Sequence, residues 1–212
     1  MFDIKGKNKW VVENLSDNGL EPERVAEIVV ANTNTNRERL IGLRAVGSSL
    51  PRLFDLHEAE SGGVDTLTLM VETDTSSRIE VYAEADKEID FYVVGFWSRA
   101  PGSYTELGGV SGQVVAAASW QAVDLSSFGI PADSVAQFVI TNDSDAGANN
   151  MGVRATASAL NRRLVLHEAE SGGSDAATLH VEVDGSSQVE WYSQAGSADR
   201  FFYPVGWWAL VP

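Results

Sequence analysis

The sequence predicts an all-β protein: two tandem antiparallel β-sandwich domains, jelly-roll-like and related by internal duplication. Three observations carry that prediction. First, HEAESGG occurs at His57–Gly63 and again at His167–Gly173. The correspondence runs through Trp10 and Trp120, Asn32 and Asn142, Gly42-Leu43-Arg44-Ala45 and Gly152-Val153-Arg154-Ala155, Asp65 and Asp175, and Tyr82 and Tyr192. The period is about 110 residues, a domain-sized length and too long for a solenoid repeat. Second, short segments of strand character recur at spacings of about 8–12 residues with turn residues between them. Third, no long segment has helical periodicity, and 19 glycines favour many turns.

The elements follow in order. Residues 1–9 form an N-terminal tail and 10–97 the first sandwich repeat. Residues 98–119 are a linker followed by an entry strand, and 120–212 form the second repeat. In the first repeat Val25–Val30 is rich in β-branched residues, Leu40–Val46 holds a helix-breaking Gly, and Leu53–His57 puts Leu53 and Asp55 on one face and Phe54 and Leu56 on the other. Thr66–Val71, Arg78–Tyr82 and Phe91–Trp97 complete the set. Asn32–Asn36, Gly47-Ser48-Ser49, Ser61-Gly62-Gly63 and Asp74–Ser77 are turns. The second repeat carries matching turns at Asn142–Asn150, Ser171-Gly172-Gly173 and Asp184–Ser187. Proline at a first helical position places a short helical turn at Pro22–Arg24 and Pro131–Ser134. One extra residue enters the second repeat before Phe202-Tyr203, which answers Phe91-Tyr92, so Gly95-Phe96-Trp97 answers Gly206-Trp207-Trp208.

Charge and composition narrow the function. The formal net charge of −15 over 212 residues argues against nucleic acid and anionic membranes, whose phosphates need clustered Lys and Arg. There is no cysteine, so no disulfide, thiolate metal site or thiol nucleophile. No apolar run approaches the roughly 20 residues of a membrane span. Met1–Lys5 shows no cationic region followed by an apolar one, so no signal peptide is seen. Neither GxSxG nor a phosphate-cradling loop is present, and no acid–base pair stands out, which leaves no enzymatic reading.

Three groups of residues are candidate sites. Glu58, Glu60 and Asp65, with Glu168, Glu170 and Asp175, could offer oxygen ligands to calcium. Regular strand geometry, however, sets His57 and Glu58 on opposite faces, and Ser61 stands where an HExxH motif needs its second histidine. The competing reading pairs these carboxylates with nearby arginines. Arg44, Arg154, Arg52 and Arg162 recur in a chain poor in positive charge. They either anchor a carboxylate on a neighbouring subunit or make ion pairs with Glu58, Glu60 and their counterparts, the second being favoured. The aromatic ends hold Trp97, Trp207 and Trp208. Adjacent Trp207 and Trp208 face opposite ways on a strand, so one leaves its own core and becomes an interface candidate.

Trp120–Ser126, Val135–Asn142 and Gly42–Leu50 leading into Leu56–Gly63 resemble the repeated β-sandwich modules of tailed-bacteriophage virions, of the decoration, cement or head-fibre kind. The resemblance implies a symmetric homo-oligomer, made in the host cytoplasm and carried on the virion, that binds a capsid or tail protein and has no active site and no cofactor apart from the calcium just considered. The alternative is a carbohydrate-binding, lectin-like module, in a calcium-dependent form if the acidic clusters bind metal. It requires exposed Trp or Tyr on a sheet face.

Overall fold

The computed structural model describes residues 6–59, 65–85, 87–98, 104–108, 112–113, 118–168, 174–196 and 199–209. The chain divides into two compact units, residues 1–100 and 101–212. Both are all-β, and every strand pair is antiparallel.

Unit 1 contains β1 (Trp10–Asn14), β2 (Arg24–Asn32), β3 (Arg39–Ala45), β4 (Leu53–Leu56), β5 (Asp65–Glu72), β6 (Arg78–Ala83) and β7 (Ile89–Ser98). They form two sheets, ordered β1-β6-β3-β4 and β5-β2-β7. Unit 2 contains β8 (Tyr104–Glu106), β9 (Gly112–Gln113), β10 (Gln121–Asp124), β11 (Ser134–Asn142), β12 (Asn149–Ala155), β13 (Leu164–Leu166), β14 (Asp175–Val183), β15 (Gln188–Ser193) and β16 (Arg200–Ala209). Its sheets are β10-β15-β12-β13 and β14-β11-β16-β8, with β9 also on β16. Among the described residues no sheet closes into a barrel. In each unit the chain passes back and forth between its two sheets, as a sandwich requires.

Period-2 patterning decides which side chains go inside. On β3 and β6, Ile41, Leu43, Ile79, Val81 and Ala83 are buried while Arg44, Glu80 and Tyr82 lie on the outer face. On β4, Phe54 and Leu56 are buried and Leu53 and Asp55 are not, which is the alternation read from the sequence. In unit 2 one apolar cluster joins the two sheets: Phe138, Ile140, Val181 and Phe202 from one, Met151, Val153, Val189 and Trp191 from the other. Trp191 stacks on Phe202 at 4.8 Å and meets Phe138 edge-on at 6.0 Å. The matching positions of unit 1 hold Val81, Phe91 and Ile28.

Three local features differ from the sequence expectations. The helical turns are single 3-10 turns at Ser16–Asn18 and Ser126–Phe128, not at Pro22–Arg24 and Pro131–Ser134. Asn14 Oδ1 accepts the Ser16 N–H and Asp124 Oδ1 the Ser126 N–H, starting each turn. Gly19 and Gly129, both at φ 78°, end it in a left-handed conformation. Second, β4 stops at Leu56, so His57 lies outside the strand. Third, the first half of the expected linker contains a short strand, β8, whose Tyr104, Thr105 and Glu106 pair with Trp208, Trp207 and Gly206 of β16. The second half, where an entry strand was expected, falls mostly on residues outside the described ones; the backbone of β9 is described and pairs with β16.

β7 and β16 each carry a β-bulge at the same place. Glu27 faces Gly95 and Ile28 faces Val93, leaving Val94 as the extra residue. Gln137 faces Gly206 and Phe138 faces Pro204, leaving Val205. A proline inside a strand suits a bulge, where the ladder is already interrupted.

Candidate functional site

The outer face of each four-stranded sheet carries one aromatic and charged cluster, built twice. In unit 1 the register aligns Trp10 with Tyr82 and Tyr82 with Gly42 across three adjacent strands. One step along, Arg44 faces Glu80. The Trp10 ring lies 5.8 Å from that of Tyr82 and reaches across β6 to Gly42, where a Cβ would come within 2.7 Å of it. The Arg44 guanidinium sits over the indole, 4.0 Å from its centroid. Its Nε donates to Glu80 at 2.6 Å and its Nη1 to the Leu50 carbonyl at 3.3 Å. Unit 2 repeats this with Trp120 and Tyr192 at 5.4 Å, Arg154 over Trp120 at 4.2 Å, and Arg154 donating to Glu190 at 2.6 Å and to the Leu160 carbonyl at 3.2 Å. There Arg163 adds a second cation 4.7 Å from the Tyr192 centroid. Trp10, Tyr82 and Trp120 remain half-exposed. Arg44 and Arg154 are each held by an ion pair, a carbonyl and a ring at once, which fixes the planar fork.

Arg44 and Arg154 make ion pairs inside their own units, with Glu80 and Glu190, partners the sequence reading did not name. Arg52 and Arg162 do different work. Arg52 is fully buried and donates to the Met70 carbonyl at 3.0 Å; Arg162 donates to the His180 carbonyl at 3.0 Å. Each comes from the segment before the edge strand of one sheet and bonds the edge strand of the other, tying the two layers together. Trp207 packs against the unit 2 core, while Trp208 lies on the opposite face between Tyr104 (4.8 Å) and His180 (5.3 Å). The Trp97 backbone pairs with Val25, and its side chain lies outside the described residues.

The repeated HEAESGG segment is gripped by its backbone. Asn32 and Asp65 face each other across β2 and β5. The Asn32 amide donates to the His57 carbonyl at 2.7 Å, and Asp65 Oδ2 accepts the His57 N–H at 2.8 Å. Asn142 and Asp175, again cross-strand partners, hold the carbonyl and N–H of His167 in the same way. Two chemically different side chains therefore clamp one peptide on both sides, which accounts for the recurrence of Asn, His and Asp together. Glu58 and Glu168 lie just beyond the clamp, half-buried and exposed respectively, and Glu60 and Glu170 lie outside the described residues, as do the Ser61–Gly63 and Ser171–Gly173 turns. Among the described residues no three acidic or histidine side chains converge as a metal site would require.

One ionisable group near Trp208 has a shifted equilibrium. Burial lowers the His180 pKa below its ordinary value, and the Arg162 guanidinium lowers it further. The folded unit thus favours the neutral ring. Stability tied to this group is present above the unfolded value of about 6.5 and is lost as pH falls through that value towards the folded one. Unit 1 has Met70 at this position. The melting temperature is expected to fall between about pH 7 and pH 5, and His180→Met is expected to flatten that slope. Asp74, Asp184 and Glu88, whose pKa values are lowered by hydrogen bonds, titrate below this window. Thermal melts of the two proteins across this range give the comparison, and parallel slopes would show that His180 is not responsible.

No family model matches the chain, and no curated protein matches it. Among solved structures, it is similar to the N-terminal CBM22-1-CBM22-2 tandem domain of Xyn10C from Paenibacillus barcinonensis, at 10% identity and a TM-score of 0.23, covering 95% of this chain and 83% of that one. A likeness at that level transfers neither fold nor activity, and the architecture above stands on its own strand order. The comparison does correct the expectation of a bacteriophage virion structural protein on a capsid or tail. The match found is to a carbohydrate-binding tandem and not to a virion component, and the virion reading is withdrawn.

Proposed function

We propose that the chain is a non-catalytic carbohydrate-binding protein made of two copies of one jelly-roll sandwich, each offering a sugar-binding face on its four-stranded sheet. The observation that carries this reading is the recurrence of the Trp–Tyr–Arg–Glu cluster at Trp10, Tyr82, Arg44 and Glu80 and at Trp120, Tyr192, Arg154 and Glu190. The half-exposed rings of Trp10, Tyr82 and Trp120 match the apolar C–H face of a sugar ring, and a fixed guanidinium and carboxylate match its hydroxyls. Because Arg44 and Arg154 are already held in place, little side-chain entropy remains to be lost on binding. The jelly-roll assignment rests on the order of strands in unit 2. Counted from β8 with β9 left aside, its eight strands change sheet at every step except β12 to β13, which pair within one sheet, and the first pairs with the last. Two sites on one chain make polysaccharides, with their repeated epitopes, better ligands than short sugars through avidity.

The test is a glycan array followed by calorimetry with the soluble polysaccharides that bind. Trp10→Ala or Trp120→Ala is expected to weaken the affected site by about tenfold or more, close to 1.4 kcal/mol. The double variant is expected to lose retention on an immobilised polysaccharide. An array without hits, or a double variant that binds as the parent does, would refute the reading.

A further inference from the structure

We infer that the outer edge of β7 at Val94–Phe96 in unit 1, which no described strand covers, is a socket for an extended peptide that carries a tyrosine three residues before an aliphatic residue. Unit 2 contains the same socket with its occupant in place. There, β8 lies along the edge of β16, and the Tyr104 ring crosses the outer face of the sheet over Gly206. Tyr104 is 1% exposed, and its hydroxyl donates to Gln137 Oε1 at 2.7 Å and to the Val205 carbonyl at 3.2 Å. The Leu107 N–H also donates to the Val205 carbonyl, at 3.0 Å, and the Leu107 side chain packs with Trp207 against the core. Gly206 is required by this arrangement: a Cβ there would lie 2.0 Å from the Tyr104 hydroxyl.

Unit 1 keeps the receiving parts. Gly95 stands where Gly206 does, Val94 repeats the bulge residue Val205, and Glu27 replaces Gln137. Among the described residues a Cβ at Gly95 would meet only the Glu27 side chain, at 3.3 Å, so none of their rings fills the slot taken by the tyrosine in unit 2. Among the described residues no strand pairs with the far side of β7. The consequence is measurable exposure. Val94 is 56% exposed against 0% for Val205, and Phe96, at the position of half-buried Trp207, is 50% exposed. An apolar edge segment such as Val94–Phe96, with no strand partner among the described residues, is the feature that strand addition uses, with main-chain hydrogen bonds supplying affinity and side-chain slots specificity. The Glu27 carboxylate in place of a neutral amide is a stronger acceptor for the tyrosine hydroxyl. The ligand class is therefore an extended Tyr-x-x-aliphatic peptide, antiparallel to β7, with the tyrosine over Gly95 and the aliphatic residue against Phe96.

The experiment uses the full chain and a labelled peptide of residues 102–108, GSYTELG, capped at both ends, read by fluorescence anisotropy. Saturable binding with a dissociation constant below about 1 mM is expected. Replacing the peptide tyrosine with alanine should abolish it, and Gly95→Val, which fills the slot, should weaken it at least tenfold. Phe96→Glu, at an exposed side chain, is a second block that does not depend on Gly95→Val folding well. Absence of binding would overturn the proposal, as would binding unaffected by both variants. Light scattering covers the remaining occupant: a dimer that Gly95→Val converts to a monomer would assign the edge to a second copy and overturn the peptide assignment.

Discussion

Gly206→Ala is expected to lower stability by about 3 kcal/mol, while Gly95→Ala changes it by less than about 0.5 kcal/mol. The two glycines occupy the same bulge position in the two units, so local backbone preference cannot separate them. What differs is the neighbour. At Gly206 an added Cβ meets the Tyr104 hydroxyl at 2.0 Å and other ring atoms at 2.1 and 2.3 Å. The ring is buried, so it cannot swing into solvent without breaking its bonds to Gln137 and Val205 and exposing Val205. The cost is thus that of removing a buried aromatic anchor, and Tyr104→Ala is expected to match it at about 3–5 kcal/mol. At Gly95 the nearest atom is the flexible end of Glu27, and the smaller chain entropy of unfolded alanine offsets any crowding. Calorimetric melts of the four proteins decide the matter. Equal shifts for Gly206→Ala and Gly95→Ala would mean that β8 does not fill the slot as described.

The parts of this fold legible in the sequence are those set by alternation and by turn chemistry. β2, β3, β5 and β6 lie within a residue or two of the segments expected from β-branched and alternating patterns, because burial of one face requires that pattern whatever the partners are. The turn at Asp74–Ser77 was legible for a similar local reason. Asp74 Oδ1 accepts the N–H groups of Ser76 and Arg78, and Asp184 does the same for Ser186 and Gln188. β8 was not legible: three residues set among Pro and Gly show no period, and Tyr104 becomes a strand residue only by pairing with Trp208. The proline-based helical turns failed because side-chain acceptors at Asn14 and Asp124 start the turn several residues earlier.

The candidate site was half legible. Trp10, Arg44 and Tyr82 were each seen to recur, but their convergence depends on β1 and β3 flanking β6, a pairing that one sequence does not disclose. The overlooked member was Glu80, which also recurs, as Glu190. Equal spacing of all four residues between the copies was the signal available. At the HEAE segment the acidic side chains draw the eye, and what the sequence does not disclose is that the flanking Asn32 and Asp65 hold the His57 backbone.

The second large effect is expected at Gly42 and Gly152, on the outer face of β3 and β12. Here the obstacle is main chain and not a mobile ring. A Cβ on Gly152 would lie 2.0 Å from the Arg162 carbonyl oxygen and 3.0 Å from its carbonyl carbon; on Gly42 it would meet the Arg52 carbonyl oxygen at 2.5 Å and the Trp10 ring at 2.7 Å. The close approach lets the incoming chain place Arg52 and Arg162 where they bond the opposite sheet. Alanine must therefore push that chain outwards, loosening the tie between layers, and in unit 1 it must also lift Trp10 from beneath Arg44. A loss of about 3 kcal/mol is expected for Gly152→Ala and a somewhat smaller one for Gly42→Ala, whose contacts are longer and partly with side chains. Gly42→Ala carries a further consequence that Gly206→Ala does not. It displaces the indole of the proposed sugar face, so polysaccharide binding by unit 1 should weaken at temperatures where the protein is still folded. Calorimetry with the ligand well below the melting transition separates the two effects, and full-strength binding by a destabilised Gly42→Ala protein would dissociate the Trp10 cluster from recognition.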